Sequence, residues 1–185
     1  SVQAILSGSL NYIFNNYNTK INFSEVVQKA MDEGFTEPDP KIDLSGIDVA
    51  RKILILARES GKEIELSEIN NNSFIPNQCL ETNTNKEFLN SLDSNETHFK
   101  KILNKAIESK SKIKYVAEYK NGKASVGIKY IPKGHDFYNL EGSDNIVLFY
   151  TERYKRQPLI VKGAGAGSEV TASGIFADII RVSRN

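Results

Sequence analysis

The chain has 185 residues, 39% hydrophobic, 9% aromatic and 25% charged, a composition that suits one ordinary globular core and argues against disorder. Its 24 basic and 23 acidic residues leave a formal charge of +1, so no overall field draws it to nucleic acid or another polyanion. Cys79 is the lone cysteine, which excludes an internal disulfide, and no apolar run approaches the roughly 20 residues of a membrane span.

A cytoplasmic, reducing setting is expected, because the first residues also lack the basic start and apolar centre of a signal peptide. Starting at Ser1 without an initiator Met, the chain reads as a piece of a longer protein. Lys100-Lys101 and the basic run from Arg153 to Arg156 have acidic residues nearby and read as solvated faces.

Leu10, Ile13, Phe14 and Tyr17 recur at helical spacing after Ser7-Gly8-Ser9, which predicts a first helix there. Ser24 is placed to cap a second helix with Val26, Val27, Ala30 and Met31 on one stripe, and Gly34 suits the left-handed position past its end. Pro38 and Pro40 remove backbone donors and push their neighbours toward extended conformations, so residues 35–43 are predicted as an ordered loop. From Ser45 the pattern returns to a helix that buries Ile47, Ala50, Ile53, Leu54 and Ala57 and ends at Gly61.

A short strand is expected around residues 64–69, followed by an Asn-rich connection over 70–85 whose function the pattern does not reveal. Residues 85–110 form one or two amphipathic helices through Phe88, Leu89, Leu92, Phe99, Ile102, Leu103, Ala106 and Ile107. Residues 113–119 and 124–130 flank Asn121-Gly122, the pattern of a tight β-hairpin. Two further β-rich runs, 145–150 and 158–161, precede a closing helix over 170–180. Helices first and strands late predict an α+β fold, a mainly antiparallel or mixed sheet covered by helices on one face.

Functional groups are densest from Gly34 to Lys52, where Glu37, Asp39, Asp43 and Asp48 meet Lys52. Asp48 and Lys52 are four apart on the predicted helix, so their side chains share one face. One reading makes Ser45 and Asp48 a capping box and Asp48–Lys52 an ordinary surface ion pair. The other makes the proline-stiffened loop the charged rim of a binding site.

Gly163-Ala164-Gly165-Ala166-Gly167, between an apolar run and a helix, has two readings: backbone N–H groups turned toward an anion, or a tight strand-to-helix turn. It lacks the Lys-Ser/Thr ending of a P-loop and the spacing of a dinucleotide fingerprint. His98 and His135 are too few and too far from Cys79 for a metal cluster, and Tyr12, Tyr115, Tyr119 and Tyr150 sit in periodic apolar settings that suit core packing. Ser7 and Ser9 have no recognisable triad context.

The run from Gly34 to Lys52 resembles the signature of homoserine dehydrogenases. The opening Ile5-Leu6-Ser7-Gly8-Ser9-Leu10-Asn11-Tyr12-Ile13 and the closing Gly163-Ala164-Gly165-Ala166-Gly167-Ser168-Glu169-Val170-Thr171-Ala172 resemble that family's catalytic domain too, the closing run especially the versions fused behind an aspartokinase. Phe35 stands where the family usually has Tyr, and Ile42 where an Asp usually precedes Asp43, which puts fine geometry in question.

The resemblance implies NAD- or NADP-dependent interconversion of aspartate semialdehyde and homoserine, toward threonine and methionine. It implies that Glu37 and Asp48, with Asp43 in second rank, hold the substrate, that Lys52 passes the proton, and that Gly34 and Gly163 border the nicotinamide cofactor. Residues 1–185 would then be a catalytic-domain fragment, with 163–185 packing toward a nucleotide-binding domain absent from this chain, which supplies a further catalytic Lys. No strand followed by a glycine fingerprint and a ribose-reading acid occurs here, so the fragment is expected to be inactive by itself. A homodimer through the sheet is expected. Two rivals stay open at this point: a dimerisation or regulatory module without chemistry of its own, and a small-anion binder built on the glycine turn, in which Lys52 has no part.

Overall fold

In the computed structural model, which describes residues 1–184, six strands form one mixed sheet in the order β2-β4-β3-β1-β5-β6. The strands are β1 (Val2–Ile5), β2 (Asn70–Asn72), β3 (Ser111–Lys120), β4 (Lys123–Pro132), β5 (Asn145–Phe149) and β6 (Leu159–Gly163). Every neighbouring pair is antiparallel except β2 beside β4. The hairpin between β3 and β4 turns through Asn121 (φ 51°) and Gly122 (φ 76°), the two positive φ angles that a tight turn of this twist demands.

The first strand, β1, is short and carried no alternation long enough to register in the sequence, yet it is central in the sheet. It pairs with β3 on one side, Ala4 opposite Ala117, and with β5 on the other, Ala4 opposite Val147. Helix α1 (Gly8–Asn16) leaves it directly, capped by the Ser7 hydroxyl, which accepts from the Leu10 N–H at 3.1 Å. Helix α2 (Phe23–Asp32) starts at Asn22, whose N–H donates to the Glu25 carboxylate, so the cap lies two residues before the expected Ser24. Gly34 takes φ 74° past its end, as expected of that position.

Three further expectations are corrected. Residues 35–43 are not loop throughout: α3 (Pro40–Leu44) forms inside them, because Pro40 at the first helical position loses no bond and Asp39 accepts from the Lys41 N–H. Ser45 and Asp48 do not make a capping box. Gly46 is the N-cap of α4 (Ile47–Glu59), and the Ser45 hydroxyl turns back to the Ile42 carbonyl at 2.9 Å. Finally, residues 64–69 hold a single 3-10 turn, Leu66–Glu68, and the strand falls later, in the Asn-rich stretch as β2. Polar Asn70–Asn72 sits at the sheet edge with exposed side chains, so its strand rests on backbone pairing with β4 and carries no apolar alternation.

Helix α5 (Asn77–Leu80) is a single turn, and α6 (Asn85–Ser94) and α7 (Glu96–Glu108) divide at Asn95. Together α1, α4 and α7 pack on β3 and β4, and the main core lies between helices and sheet around Phe23, Phe74, Phe99, Ile53 and Tyr115. The opposite sheet face is sealed at one end by the connection from β4 to β5, whose Phe137 and Leu140 pack on Ile5, Val116, Ile131, Ile146 and Leu148. His135 belongs to this connection, its Nδ1 accepting from the Phe137 N–H, while the ring of His98 bonds the Phe74 carbonyl.

The last helix, α8 (Ser168–Ser183), contains the expected 170–180 run but packs on nothing comparable: all its residues are exposed, as are those of β6. Among the described residues, no helix is long and apolar enough to cross a membrane.

Candidate functional site

A cavity of about 340 Å³ opens where the loops after β1, α2 and α3 meet the turns before β5 and α8. Glu37, Asp43, Asp48 and Lys52 line one side with Gly34 and Phe35, residues 6–9 line the floor, and Ser143, Asn145 and residues 164–167 line the other side. Five of the six residues singled out in the sequence therefore meet in one space. Gly163 is not in its lining; it ends β6 opposite Asn145, immediately before the turn that is.

Lys52, Asp48 and Asp43 are held in place. The Lys52 Nζ lies 2.7 Å from Asp48 Oδ2 and donates to the Leu6 carbonyl at 2.9 Å, so two of its three N–H directions are anchored and one is left. Both side chains are close to half exposed, which alone would make this a weak surface pair. The tie to the buried end of β1 distinguishes it, because it fixes the lysine against the sheet.

Asp43 has both carboxylate oxygens engaged: Oδ1 accepts from the Ser9 hydroxyl at 2.8 Å and Oδ2 from the Glu37 N–H at 2.9 Å. Its immediate effect is to bind the loop carrying Glu37 to the start of α1. The Glu37 side chain itself is exposed at the cavity rim.

The Asn-rich connection explains why this loop and α4 keep their places. Lys41 Nζ donates to the Thr82 carbonyl at 2.6 Å, Asn85 to the Pro38 carbonyl at 2.8 Å, and Asn71 to the Ser45 carbonyl at 2.9 Å. The hydroxyl of buried Tyr115 bonds Asn71 and presses on Gly46, where any side chain would collide with it. Phe35 stacks on Tyr12 with ring centroids 4.1 Å apart, and Tyr12 donates to Glu33 at 2.7 Å. That bond and burial push the Tyr12 hydroxyl above its ordinary pKa. Ile42, the other departure from the family pattern, is 46% exposed and lies outside the cavity.

Ser143 and Asn145 had drawn no attention in the sequence. Nothing local marks them: they stand in a turn and at the first residue of β5, more than a hundred residues from Glu37. Asn145 abuts Gly165 so closely that a side chain there would collide with its amide, a contact that ties the glycine turn to β5. Among the described residues, no group of His, Cys, Asp and Glu could hold a metal ion.

The family model described as "Homoserine dehydrogenase" matches residues 1–180. The chain is 44% identical over 184 residues to the chloroplastic bifunctional aspartokinase/homoserine dehydrogenase 2 of Zea mays, covering 98% of this chain and 20% of that protein. It is 36% identical over 190 residues to the homoserine dehydrogenase of Saccharomyces cerevisiae, covering 99% and 53%. Among solved structures, a Candida auris protein of unknown function superposes with a TM-score of 0.91 at 41% identity, over 100% of this chain and 53% of that one. The S. aureus homoserine dehydrogenase follows the same fold with a TM-score of 0.70 at 26% identity, over 98% and 42%. The chain thus spans about a fifth of the bifunctional relative and about half of the yeast one.

Proposed function

The chain belongs to the homoserine dehydrogenase family, and from that premise we propose that its cavity binds homoserine and aspartate semialdehyde and completes an NAD- or NADP-dependent oxidoreductase. The observation that carries this reading is the convergence of Glu37, Asp48 and Lys52 on one cavity whose far side is a glycine turn opening α8.

In this reading the exposed Glu37 carboxylate takes the substrate ammonium through a charge-assisted hydrogen bond. The Lys52 Nζ, directed by Asp48 and the Leu6 carbonyl, supplies a proton to the substrate oxygen during aldehyde reduction and takes it back in the reverse direction. Its positive charge stabilises negative charge gathering on that oxygen. Asp48 orients Lys52, and Asp43 keeps Glu37 at the rim.

The residues present fit one end of a nicotinamide cofactor. Gly163 and Gly167 face open space where a side chain would stand, Gly34 does so as well, and the start of α8 has no side-chain cap to occupy its first N–H groups. When bound, that cofactor supplies hydride transfer. Among the described residues no βαβ unit with a glycine fingerprint occurs, and we propose that turnover needs a dinucleotide-binding unit alongside the chain, leaving the isolated chain inactive.

Residues 159–184 support a second element of the reading: Leu159, Val161, Ile175, Phe176 and Ile179 are exposed apolar side chains suited to that unit or, along the open β6 edge, to a second copy of the chain. Residue 185 of this segment lies outside the described residues. Buried, unpaired Cys79 suits a reducing compartment such as the cytoplasm. The fusion behind an aspartokinase seen in the Zea mays relative suggests the same context for the longer protein.

The test is steady-state oxidation of homoserine, followed by reduced-cofactor absorbance, in the protein that joins this chain to its dinucleotide-binding unit. Turnover is expected there and not with the chain alone, and Glu37→Ala should raise the KM for homoserine by about tenfold or more with a smaller change in kcat. Absence of homoserine-dependent reduction in the joined protein would defeat the assignment.

A further inference from the structure

Lys114 stands on β3 past the end of its pairing with β1, and its side chain is fully buried. The ammonium donates to Asn11 Oδ1 at 2.8 Å, to Asn15 Oδ1 at 2.7 Å and to the Leu140 carbonyl at 2.5 Å, all neutral oxygens. Both asparagines return the tie, Asn11 donating to the Gly142 carbonyl at 2.9 Å and Asn15 to the Leu140 carbonyl at 3.2 Å. Two segments distant in sequence, α1 and residues 140–142, are stitched together through one buried cation.

Those segments lead straight to the cavity. Helix α1 begins with residues 8 and 9 of its floor, and residues 140–142 run into Ser143 and Asn145 of its far side. Gly8 and Ser143 are in contact, since a side chain at Gly8 would stand 2.9 Å from the Ser143 carbonyl oxygen. Asn145 in turn holds the glycine turn at Gly165.

A buried ammonium without a carboxylate partner is costly, and an apolar chain of the same length would fill the space without that cost. Burial, with a smaller push from Lys112 against an opposing pull from Glu141, lowers its pKa to about 8. What the lysine adds over an apolar residue is three directed bonds that set the distance between two segments.

We propose that Lys114 is a positioning residue for the cavity: by bonding α1 and residues 140–142 at once, it sets the gap between the floor at residues 7–9 and the side at Ser143 and Asn145. Through that gap it governs how tightly the ligand is held, while the proton transfer assigned to Lys52 proceeds from the opposite side. The kinetic part rests on the homoserine reading; the positioning part does not.

Both are tested in the protein joined to its dinucleotide-binding unit, with Lys114→Met and, at an exposed position that spares the core, Asn15→Ala. Lys114→Met is expected to raise the KM for homoserine about tenfold with kcat within about threefold, and Asn15→Ala to raise it about threefold. Amide hydrogen exchange over residues 140–145 should accelerate about tenfold in Lys114→Met while α2 and α7 keep their protection. Unchanged exchange at 140–145, KM values within about twofold of wild type for both variants, or equal acceleration throughout α2 and α7 would each overturn the proposal. Should the wild-type protein fail to oxidise homoserine, the functional reading falls and the exchange comparison alone decides the role of Lys114.

Discussion

Helices α4 and α8 each follow a glycine with positive φ, Gly46 at 74° and Gly167 at 115°, neither start has a side-chain cap, and the same cavity is lined by Asp48 and Lys52 of α4 and by the turn that leads into α8. Around α4 everything is braced. Val49, Ala50, Ile53 and Ala57 are buried, Tyr115 presses on Gly46, Asn71 holds Ser45, and Lys52 is tied to the Leu6 carbonyl.

Around α8 there is open space, with Phe176 64% exposed. Its apolar Ile175, Ile179 and Val182 recur at helical spacing, yet all three are exposed. The contrast teaches that helical patterning and burial are separate matters: the first is local, and the second requires a partner surface. On the proposed function, it also divides the cavity into a side that carries the chemistry and a side on which the dinucleotide-binding unit would dock.

Removing the anchored cation should produce the largest effect. In the joined protein, Lys52→Ala is expected to lower kcat by about a hundred- to ten-thousandfold, as loss of a positioned acid-base group does, and steady-state rates within a few-fold of wild type would erase the chemical side of the contrast.

Next come the apolar faces. Urea unfolding of the isolated chain should show Ile53→Ala costing about 2 to 5 kcal/mol, the range for a truncated core side chain. Phe176→Ser in the same chain should stay within about 0.5 kcal/mol of wild type. A large loss for Phe176→Ser would mean that α8 already has a partner in the isolated chain. The same substitution in the joined protein should become costly, which would sharpen the division.

The two helices also oppose each other in their glycines. Gly46→Ala forces a side chain into a left-handed position against the Tyr115 hydroxyl and is expected to cost about 1 to 3 kcal/mol. Gly174, inside α8 with nothing near it, should gain up to about 1 kcal/mol on substitution by Ala through helix propensity. Thermal denaturation of the isolated chain reads both, and a shift of the same sign for the pair would contradict the difference in surroundings.

The smallest effect concerns pH. Folding lowers the Lys114 pKa from 10.5 to about 8, so between those values the unfolded chain binds more protons at this site and its contribution to stability rises with pH. The Tyr115 and Tyr17 hydroxyls are pushed up, both chiefly by burial and Tyr17 also by Glu96. Above their ordinary value of 10.0 the unfolded chain sheds those protons first, so stability falls. Urea midpoints are therefore expected to peak between about pH 9 and 10. Lys112 and Glu141 are the charged groups that shift Lys114, and the isolated α8 carries none of these sites. A midpoint that falls steadily from about pH 8 upward would show that Lys114 does not bear the burial cost assigned to it.

Much of this arrangement was legible from local chemistry. Apolar periods announced α1, α2, α4, α6 and α7, Asn121-Gly122 announced the hairpin, and Gly34 and Gly61 marked helix ends, because each feature is settled within a few residues of backbone. The acidic and basic groups from Glu37 to Lys52 were visible for the same reason: they are close in sequence.

What local chemistry could not supply is every feature that depends on a distant partner. The four residues of β1 are a central strand only because β3 and β5 flank them, polar Asn70–Asn72 is a strand only because β4 offers its edge, and Gly46 starts α4 against the hydroxyl of a tyrosine from β3. The same holds for the far side of the cavity, where Ser143 and Asn145 face Lys52 across long chain separations. Short-range dihedral and capping preferences are written in neighbouring residues, whereas strand pairing and buried hydrogen bonds are selected by the geometry of the assembled sheet, and it is that geometry which closes the cavity.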